Sequence, residues 1–310
     1  GLEALSVDGH ECDLKPDLNG DTLPGAIGTA EVLVVRSTPV TRATVDAAAS
    51  LRLIIRAGAG TNTIDKQAAA EREIRVCNVP GRNAAAVAEL VIGLLIAIDR
   101  NIPDNVIDLR AGRWNKKRYS VARGLYGRRL GVIGLGAIGL AVLERARGFG
   151  LELWVIEKSG RADEVQQRLR EIGVRMVPNI DSLVNQSDIL SFHLPVVPET
   201  RGMVNAKFLE LLHPGTILIN TSRGDLVDEQ ALIRVLDEKE LRVGLDVYRD
   251  EPASNDGKFS SALACHPSIY GTHHIGASTI QAQSAVAEGV LEIIAAFSNG
   301  QILNCVNMPG

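Results

Sequence analysis

Short apolar runs alternate with amphipathic stretches along most of the chain. Runs rich in valine, leucine and isoleucine predict buried β-strands, and apolar positions spaced three to four residues apart predict helices between them. Because strands and helices alternate, the pattern predicts an α/β fold with parallel sheets. The predicted strands are 31–36, 53–56, 75–79, 130–133, 152–156, 175–177, 188–194, 216–220, 242–247 and 268–273. The predicted helices are 44–50, 64–73, 84–98, 138–147, 163–172, 206–212, 229–238 and 279–297.

The glycines that follow the fourth predicted strand organise the second half of the chain. Gly134, Gly136 and Gly139 have the spacing G-x-G-x-x-G at the point where that strand must turn into a helix. There the first glycine permits the tight turn, the second lets a pyrophosphate approach, and the third lets helix pack on strand. Free N–H groups at the helix N-terminus, around Ala137 and Ile138, favour such an anion. A glycine-rich turn in an ordinary α/β protein is the alternative.

An acidic residue follows the next strand, as a dinucleotide-binding site requires. Glu157 stands 21 residues after Gly136, where a carboxylate would accept hydrogen bonds from the adenosine ribose. Because the same carboxylate would repel a 2′-phosphate, the sequence predicts NAD as the cofactor. Two doubly wound parallel-sheet domains are predicted: a Rossmann dinucleotide-binding domain over 101–279 and a smaller, flavodoxin-like domain formed by 1–100 and 280–310.

Composition and charge exclude several other classes of protein. The 310 residues suffice for two domains, and the formal net charge of −4 gives no general attraction for nucleic acid. No apolar run approaches the length that spans a bilayer, so no membrane partner is expected. The scattered Cys12, Cys77, Cys265 and Cys305 indicate reduced thiols in a cytoplasmic protein, without a disulfide frame or a metal site. Residues 1–5 look like the middle of a helix, so further residues are expected upstream.

Polar residues just beyond predicted strand ends are candidates for catalysis, since doubly wound sheets bind ligands there. Arg223 can grip a carboxylate in a bidentate fork, and a histidine such as His274 can exchange a proton near neutral pH. A carboxylate such as Glu251 would hold its tautomer. Alternatively, Arg223 pairs structurally with Asp225 or Asp228, and the other two are an ordinary loop acid and a hydrogen-bonded histidine. The residue types alone leave both interpretations open.

Three other segments also have two interpretations. The loop 58–60 follows a strand end, so its N–H groups form either an anion-binding nest or a plain turn. Helix 84–98, with Asn83 as its N-cap, is apolar on all sides and is expected to be buried between domains or subunits. The basic cluster 113–118 around Trp114 is either a solvated surface or an arm at a subunit interface.

Several motifs occur in a fixed order along the chain. They are Gly134-Leu-Gly-Ala-Ile-Gly139, His193-Leu-Pro195 with Pro198-Glu-Thr-Arg201-Gly, Asn220-Thr-Ser-Arg223-Gly, Leu245-Asp-Val with Glu251-Pro252, and His274-Ile-Gly-Ala-Ser-Thr279. In this order they resemble the D-isomer-specific 2-hydroxyacid dehydrogenase family, and the resemblance covers essentially the whole chain. It implies that Arg223 binds the substrate carboxylate, that Glu251 pairs with His274, and that His274 is the acid/base. The family usually has proline where this chain has His273.

The resemblance also assigns the cofactor site. The cofactor-binding residues that it implies are Gly134, Gly136, Ala137, Ile138, Gly139, Glu157, Thr221, Ser222, Arg223, Asp246, His274 and Gly276. Within the family the chain is most similar to the D-3-phosphoglycerate dehydrogenases, through Val35-Arg36-Ser37, Arg56-Ala-Gly58-Ala-Gly60 and Ala282-Gln283. This similarity implies that Arg36 meets the substrate phosphate, and that Arg56, Gly58, Ala59 and Gly60 also bind substrate.

The implied activity is the oxidation of D-3-phosphoglycerate in serine biosynthesis, by a homodimer. The chain stops soon after its last predicted helix, so a C-terminal regulatory domain is not expected in this sequence. A glyoxylate or hydroxypyruvate reductase is an alternative, which would use the same catalytic residues without a phosphate site. An NAD-sensing scaffold, like the transcriptional corepressors that share this fold, is a second alternative.

Overall fold

The computed structural model describes residues 5–6, 9–252 and 257–308. The chain divides into two compact units, one made of Gly1–Asn83 with Ser278–Gly310 and the other of Ala84–Ala277. Both are α/β with parallel sheets, which confirms the predicted fold class. The predicted first domain includes residues 84–100, whereas the structure groups these residues with the second unit. The helical interpretation of residues 1–4 lies outside the described residues.

The first unit contains a three-stranded parallel sheet in the order β1–β2–β3. Its strands are β1 (Val32–Val35), β2 (Leu53–Arg56) and β3 (Arg75–Asn78), and its first helices are α1 (Leu23–Ala26), α2 (Arg42–Ala47) and α3 (Lys66–Glu71). The central strand β2 is buried at Leu53, Ile54 and Ile55. Because all three strands are parallel, their carboxyl ends lie at one edge of the sheet.

The second unit contains a seven-stranded parallel sheet in the order β10–β9–β8–β7–β4–β5–β6. Its strands are β4 (Arg129–Ile133), β5 (Glu152–Ile156), β6 (Arg175–Val177), β7 (Ile189–Phe192), β8 (Ile217–Asn220), β9 (Arg242–Leu245) and β10 (Ile269–Gly271). The strand order reverses between β4 and β7, which is the doubly wound arrangement with its ligand crevice at that switch point. The three described strands of the first unit lie in sequence order. The reversal is therefore a feature of the seven-stranded sheet of the second unit.

Eight α-helices and one 3₁₀ turn (Gly224–Leu226) accompany this sheet in the described part of the second unit. The helices are α4 (Ala84–Arg100), α5 (Ile102–Arg110), α6 (Lys116–Tyr119), α7 (Ala137–Arg147), α8 (Asp163–Ile172), α9 (Ile180–Gln186), α10 (Ala206–Glu210) and α11 (Glu229–Leu236). Two hydrophobic clusters hold six of these helices, one including the α4 and α7 side chains and the other packed around β7, β8 and β9. The described residues of helices α5 and α6 contribute to neither cluster.

Helix α4 is the most apolar helix of the second unit, and its apolar residues are buried within that unit. Leu95 and Ile98 share one hydrophobic cluster with Leu143 of α7. A Cβ on Gly244 of β9 would lie only 3.2 Å from the Ile98 side chain, so the helix sits directly on that strand. The N-cap predicted at Asn83 is not formed through its Oδ1 atom, which is buried without a hydrogen-bond partner among the described residues.

The chain returns to the first unit with helix α12 (Ile280–Ser298). The Thr279 Oγ1 atom accepts a hydrogen bond from the Ala282 N–H at 3.1 Å and so caps the helix. Ile293 and Ile294 pack in one hydrophobic cluster with β2 of the first sheet. By length and composition α12 is apolar enough to cross a bilayer, contrary to the expectation from the sequence. One such helix is a weak indication, because core helices of globular proteins have the same properties.

Candidate active site

The turn between β4 and α7 has the geometry that the glycine motif predicts. Gly134 adopts φ +103°, and a Cβ there would lie 2.3 Å from the His193 carbonyl oxygen. A Cβ on Gly139 would lie 2.0 Å from the Gly134 carbonyl oxygen, so helix and strand approach too closely for a side chain. A Cβ on Gly136 would meet nothing within 4 Å. The two outer glycines are therefore needed for packing, and the middle one, at the N-cap of α7, opens onto space that a phosphate can occupy.

Glu157, the residue predicted to bind the adenosine ribose, lies at the end of β5. Glu157 is exposed directly after the strand, and its N–H donates to the Val177 carbonyl at 2.7 Å. The Arg161 guanidinium donates to the Ile156 carbonyl at 3.0 Å, beside Glu157. A carboxylate at this strand end accepts from ribose hydroxyls, and the neighbouring guanidinium lowers the local negative charge. Arg161 was not among the predicted site residues, although the sequence shows it close to Glu157.

The loop after β8 is folded by its own side chains. The Asn220 Oδ1 atom accepts from the Ser222 N–H at 3.0 Å and from the Ser222 hydroxyl at 2.7 Å. The Asn220 amide donates to the Arg223 carbonyl at 2.8 Å. The Thr221 hydroxyl is buried and has no hydrogen-bond partner among the described residues. These contacts hold Thr221, Ser222 and Arg223 at the carboxyl edge of the sheet, next to its switch point.

The structure brings together the predicted trio of the second unit. The His274 Nδ1 atom lies 2.6 Å from the Glu251 Oε1 atom. Since an ionised carboxylate only accepts, Nδ1 carries the proton in this pair and Nε2 is left for another partner. Burial lowers the pKa of Arg223, and the negative charge of Glu251 acts in the opposite direction. The pairing selects His274, not the exposed neighbouring His273, as the partner of Glu251.

Asp246 makes its contacts with the loop that carries His274. Its carboxylate accepts from the Thr272 hydroxyl at 2.6 Å and from the N–H groups of Ile275 and Gly276, each at 2.8 Å. The residue is 1% exposed. The predicted cofactor role of Asp246 stays a prediction, and its described hydrogen bonds hold the loop that carries His274. Thr272 was missed from the sequence, although it directly follows a strand end.

Tyr248 is a second residue that the sequence analysis missed. A Cβ on Gly224 would lie 2.1 Å from the Tyr248 carbonyl carbon, and one on Gly271 would lie 2.0 Å from its hydroxyl oxygen. The residue therefore locks the loops after β8 and β10 together. Burial raises the pKa of Tyr248 to about 12, with Asp246 and Glu229 adding to the shift. Its place directly after the predicted strand 242–247 was the available signal.

The predicted substrate residues of the first unit lie at the carboxyl edge of its sheet. Arg36 directly follows β1, is exposed, and makes no hydrogen bond or ion pair within the described ranges. The neighbouring strand ends in Arg56, whose Nη1 atom donates to the Ala57 carbonyl at 3.1 Å. Val35 and Arg56 are register partners, so the two arginines flank the same strand ends.

The loop 58–60 turns its carbonyls toward the protein. The Gly58 carbonyl accepts from the Val79 N–H at 3.0 Å, and the Ala59 carbonyl accepts from the Asn78 amide at 2.6 Å. The N–H groups of Ala59 and Gly60 donate no hydrogen bond in the described part of the chain. Gly58 adopts φ +139°, a conformation that residues with side chains rarely adopt, so a substitution there would strain the backbone. Two free N–H groups beside two arginines are suited to binding an anion.

Comparisons with known proteins agree with this architecture. Residues 92–276 match the family model described as "D-isomer specific 2-hydroxyacid dehydrogenase, NAD binding domain". The D-3-phosphoglycerate dehydrogenase of Methanocaldococcus jannaschii is 38% identical over 303 residues, which are 96% of this chain and 56% of that protein. The hydroxypyruvate reductase of Thermotoga maritima is 37% identical over 279 residues, 89% of this chain and 88% of that protein.

A solved structure is similar over nearly the whole chain. The NAD-dependent formate dehydrogenase of Staphylococcus aureus, in complex with NAD, has a TM-score of 0.84 and 28% identity, covering 99% of this chain and 91% of that one. The chain spans about half the length of most of the D-3-phosphoglycerate dehydrogenases that it matches.

Proposed function

The chain belongs to the D-isomer-specific 2-hydroxyacid dehydrogenase family, and we propose that it oxidises a D-2-hydroxy acid with NAD as hydride acceptor. The observation that carries the proposal is the Glu251–His274 pair at 2.6 Å, at the same sheet edge as the glycine turn. A proton carrier and a dinucleotide turn at one edge are what such an oxidation needs.

The residues of the second unit fit a dinucleotide. The open space at Gly136 and the free N–H groups of α7 suit a pyrophosphate, and Glu157 suits an adenosine ribose. The bound cofactor supplies the hydride acceptor. Thr221 and Ser222, together with Gly276, are the further residues that we propose to line its site. Each lies just beyond a strand of the sheet, on the side where dinucleotides bind.

The catalytic proton is assigned to His274. With Nδ1–H held by Glu251, the Nε2 atom takes the proton of the substrate hydroxyl during oxidation and returns it to a keto acid in the reverse direction. The Glu251 carboxylate stabilises the imidazolium that forms. The Arg223 guanidinium grips the substrate carboxylate, and partial burial strengthens that attraction because water screens it less.

The substrate that we propose is D-3-phosphoglycerate, which carries a phosphate besides its carboxylate. Arg36 has no described partner, and Arg56 and the free N–H groups of residues 58–60 lie at the same sheet edge. Such a group suits a multiply charged anion better than a neutral carbon chain. The reaction would supply serine biosynthesis, and the four free cysteines agree with a cytoplasmic location.

Reduction of hydroxypyruvate or glyoxylate is the second candidate. It is favoured by the hydroxypyruvate reductase of Thermotoga maritima, because this chain spans 88% of that protein's length. An unphosphorylated substrate would use Arg223, Glu251 and His274 in the same way. It would leave Arg36 without a ligand, and this difference separates the two candidates.

The test compares Arg36→Ala with wild type on both substrates, following NADH absorbance. A charge-assisted contact contributes about 1.5–3 kcal/mol, so KM for 3-phosphoglycerate should rise by about one to two powers of ten. Activity on hydroxypyruvate should hardly change. Arg52→Ala is the matched control, because this exposed arginine precedes β2 at the opposite edge of the same sheet.

Three outcomes would contradict parts of the proposal. If Arg36→Ala lowers the activity on both substrates equally, Arg36 does not bind the phosphate. If wild type prefers the unphosphorylated substrate, the reductase is the correct candidate. If no 2-hydroxy or 2-keto acid is turned over while NADH still binds, the chain is an NAD-sensing scaffold and not a dehydrogenase.

A further inference from the structure

Two cysteines that are far apart in the sequence lie opposite each other in the first unit. Cys77 is in β3, and Cys305 lies in the segment that follows α12. The two residues form an antiparallel bridge. The sequence analysis treated all four cysteines as scattered thiols, and the structure shows each of them as free. This pair nevertheless differs from the exposed Cys12 and Cys265, because its members face each other.

The backbone around the pair is held in register. The Asn78 N–H donates to the Asn304 carbonyl at 3.2 Å, and the Val306 N–H donates to the Val76 carbonyl at 2.8 Å. These bonds flank the cysteines, which therefore form a non-hydrogen-bonded antiparallel pair. In such a pair the Cα atoms are about 4.5 Å apart and the side chains lie on one face. Disulfides span Cα separations of about 4.4–6.8 Å, so the backbone can accept an S–S bond.

Asn307 fixes the segment on the far side of the pair. Its Oδ1 atom accepts from the Val76 N–H at 2.8 Å, and its amide donates to the Ile74 carbonyl at 2.8 Å. The same Oδ1 atom accepts from the Cys305 thiol at 3.4 Å. The segment 304–307 is thus tied to β3 from Ile74 to Asn78, and the Cys305 thiol has a defined position.

The environments of the two thiols differ. Cys77 is 1% exposed, whereas Cys305 is half-buried. Burial raises the pKa of Cys77 to about 12, and the charge of Cys305 and its hydrogen bond with Cys77 add to the shift. Because the thiolate is the reactive form, Cys77 alone is a poor target for oxidants. Cys305 is the more accessible member and has a resolving thiol beside it.

We propose that Cys77 and Cys305 form an oxidation site, which a two-electron oxidant of the peroxide class converts into an intramolecular disulfide. The Cys305 thiolate attacks a peroxide oxygen, which gives a sulfenic acid and, with hydrogen peroxide, one water. The Cys77 sulfur then attacks the sulfenic sulfur, and its proton leaves with the hydroxyl group as a second water. The two thiols lose two electrons and two protons in total, and a dithiol reductant reverses the change.

The bond would join the segment 304–307 covalently to the strand that supports the candidate anion loop. Asn78, next to Cys77, donates its amide to the Ala59 carbonyl of that loop. Intracellular disulfides are usually transient, so a pair like this one is suited to oxidative conditions. The proposal is independent of the substrate, since it concerns thiols outside the candidate active site.

The test uses the full chain with Cys12→Ser and Cys265→Ser, which removes both exposed thiols. After hydrogen peroxide treatment of the folded protein and then unfolding, titratable thiols should fall from two to none. The intact mass should drop by two hydrogen atoms, and digestion should link the peptides that contain Cys77 and Cys305. Dithiothreitol should restore both thiols.

Two matched variants in the same background separate the roles. With Cys77→Ala, Cys305 should gain oxygen and form no internal link. With Cys305→Ser, Cys77 should react with peroxide at least about ten-fold more slowly than Cys305 does in the first variant, because burial raises the pKa of Cys77 and keeps peroxide from its sulfur. The proposal is overturned if Cys305 in the two-thiol protein gains oxygen atoms while Cys77 stays reduced. A link that joins only separate molecules would overturn it as well.

Discussion

At the scale of single residues, the candidate site depends on an unusual backbone position. His274 adopts φ +53°, a left-handed conformation that few residues other than glycine take. Its N–H donates to the Asp246 carbonyl at 2.8 Å, and the next two N–H groups donate to the Asp246 carboxylate. Such a conformation persists only where its surroundings hold it. The imidazole is therefore positioned from two sides, by Asp246 through the backbone and by Glu251 through the ring.

The first prediction compares the adjacent histidines. His274→Ala should lower kcat by about 10²–10⁴-fold, the usual loss of a positioned acid/base, and should leave NADH binding nearly unchanged. His273→Ala is the matched control and should keep its activity, because Glu251 bonds to the other ring. Steady-state rates and NADH fluorescence titration measure the two effects. An inactive His273→Ala with an active His274→Ala would show that the motif assignment is off by one residue.

A buried histidine outside the trio gives a prediction on pH. Burial lowers the pKa of His193 to about 3, and the only hydrogen-bond contact of its imidazole ring within the described residues is with the Ser191 hydroxyl, at 2.8 Å. An unfolded histidine binds a proton below about pH 6.5, whereas folded His193 does not. The free energy of unfolding therefore decreases as the pH falls from about 6.5 toward 3. The loss is about 1.4 kcal/mol per pH unit, or about 2 kcal/mol at pH 5.

His193→Gln should remove this part of the acid sensitivity. Between pH 7 and pH 5 its free energy of unfolding in urea should fall by about 2 kcal/mol less than that of wild type. His213→Gln, at an exposed histidine of the same unit, is the control and should follow wild type. Equal losses in all three proteins would mean that His193 takes up its proton without unfolding.

At the scale of elements, the sequence predicted all ten described strands, because their runs are apolar and bounded by turns. The strands at 53–56, 152–156 and 175–177 match those of the structure residue for residue. Helices α1, α5, α6 and α9 were missed, since they are short and their apolar positions form no long periodic face. Helix α4 was found but placed in the wrong domain, because periodicity reports that a face is buried and not which element covers it.

The site was predictable where motifs place residues at strand ends, and less so where contacts join distant parts of the chain. Arg223 and His274 follow strands, and their position at one edge follows from parallel pairing. The role of Thr272 as a partner of Asp246, and the pairing of Cys77 with Cys305, depend on packing between segments. No local pattern reports such contacts, so they required coordinates.

An ion pair between two elements provides the next prediction. The Asp99 carboxylate at the end of α4 accepts from Arg128 Nη1 and from the Gly124 N–H, each at 3.1 Å, and both charged side chains are buried. Removing one partner of a buried pair leaves an uncompensated charge, which costs about 3–5 kcal/mol. Asp99→Ala should therefore lower the free energy of unfolding in urea by about that amount.

The control for this prediction lies on the same helix. Glu89 pairs with Arg145 at 3.2 Å on the surface, and exposed pairs contribute at most about 1 kcal/mol. Glu89→Ala should accordingly change stability little. Asp99→Ala could instead lower the free energy of unfolding by no more than Glu89→Ala does. That result would mean that water reaches Arg128 once Asp99 is gone, and that the ion pair between α4 and the start of β4 does not stabilise the fold.

At the scale of the whole molecule, one segment of the second unit carries several large apolar side chains that are exposed to solvent. Helix α4, which the sequence predicted to be buried between domains or subunits, packs most of its apolar side chains into the core of its own unit. In the described part of the second unit, the large apolar side chains that are more than half exposed lie in α5 and the segment after it, among them Ile107 at 60%, Trp114 at 82%, Val121 at 72% and Tyr126 at 90%. Large apolar side chains collected in this way mark an association surface.

Hydrogen bonds and ion pairs around Asp108 fix the conformation of this segment. A segment with a fixed conformation is suited to form an association surface. The buried Asp108 carboxylate accepts from Arg113 and from the Tyr119 hydroxyl, each at 2.6 Å. These bonds hold the segment on both sides of Trp114 while its indole points to solvent. A prearranged surface loses less conformational entropy on binding than a disordered one. We therefore expect a homodimer that uses this segment, the arm that the basic cluster 113–118 indicated.

The prediction is tested by light scattering at micromolar concentration, where wild type should have twice the mass of one chain. Ile107→Glu combined with Trp114→Glu should give the mass of a single chain, because association would bury two uncompensated charges on each side. Met176→Glu is the control: this side chain on β6 is 40% exposed but lies outside the segment. NADH binding by all three proteins verifies folding. A wild type with the mass of one chain would contradict the dimer, and a double variant that stays dimeric would place the interface elsewhere.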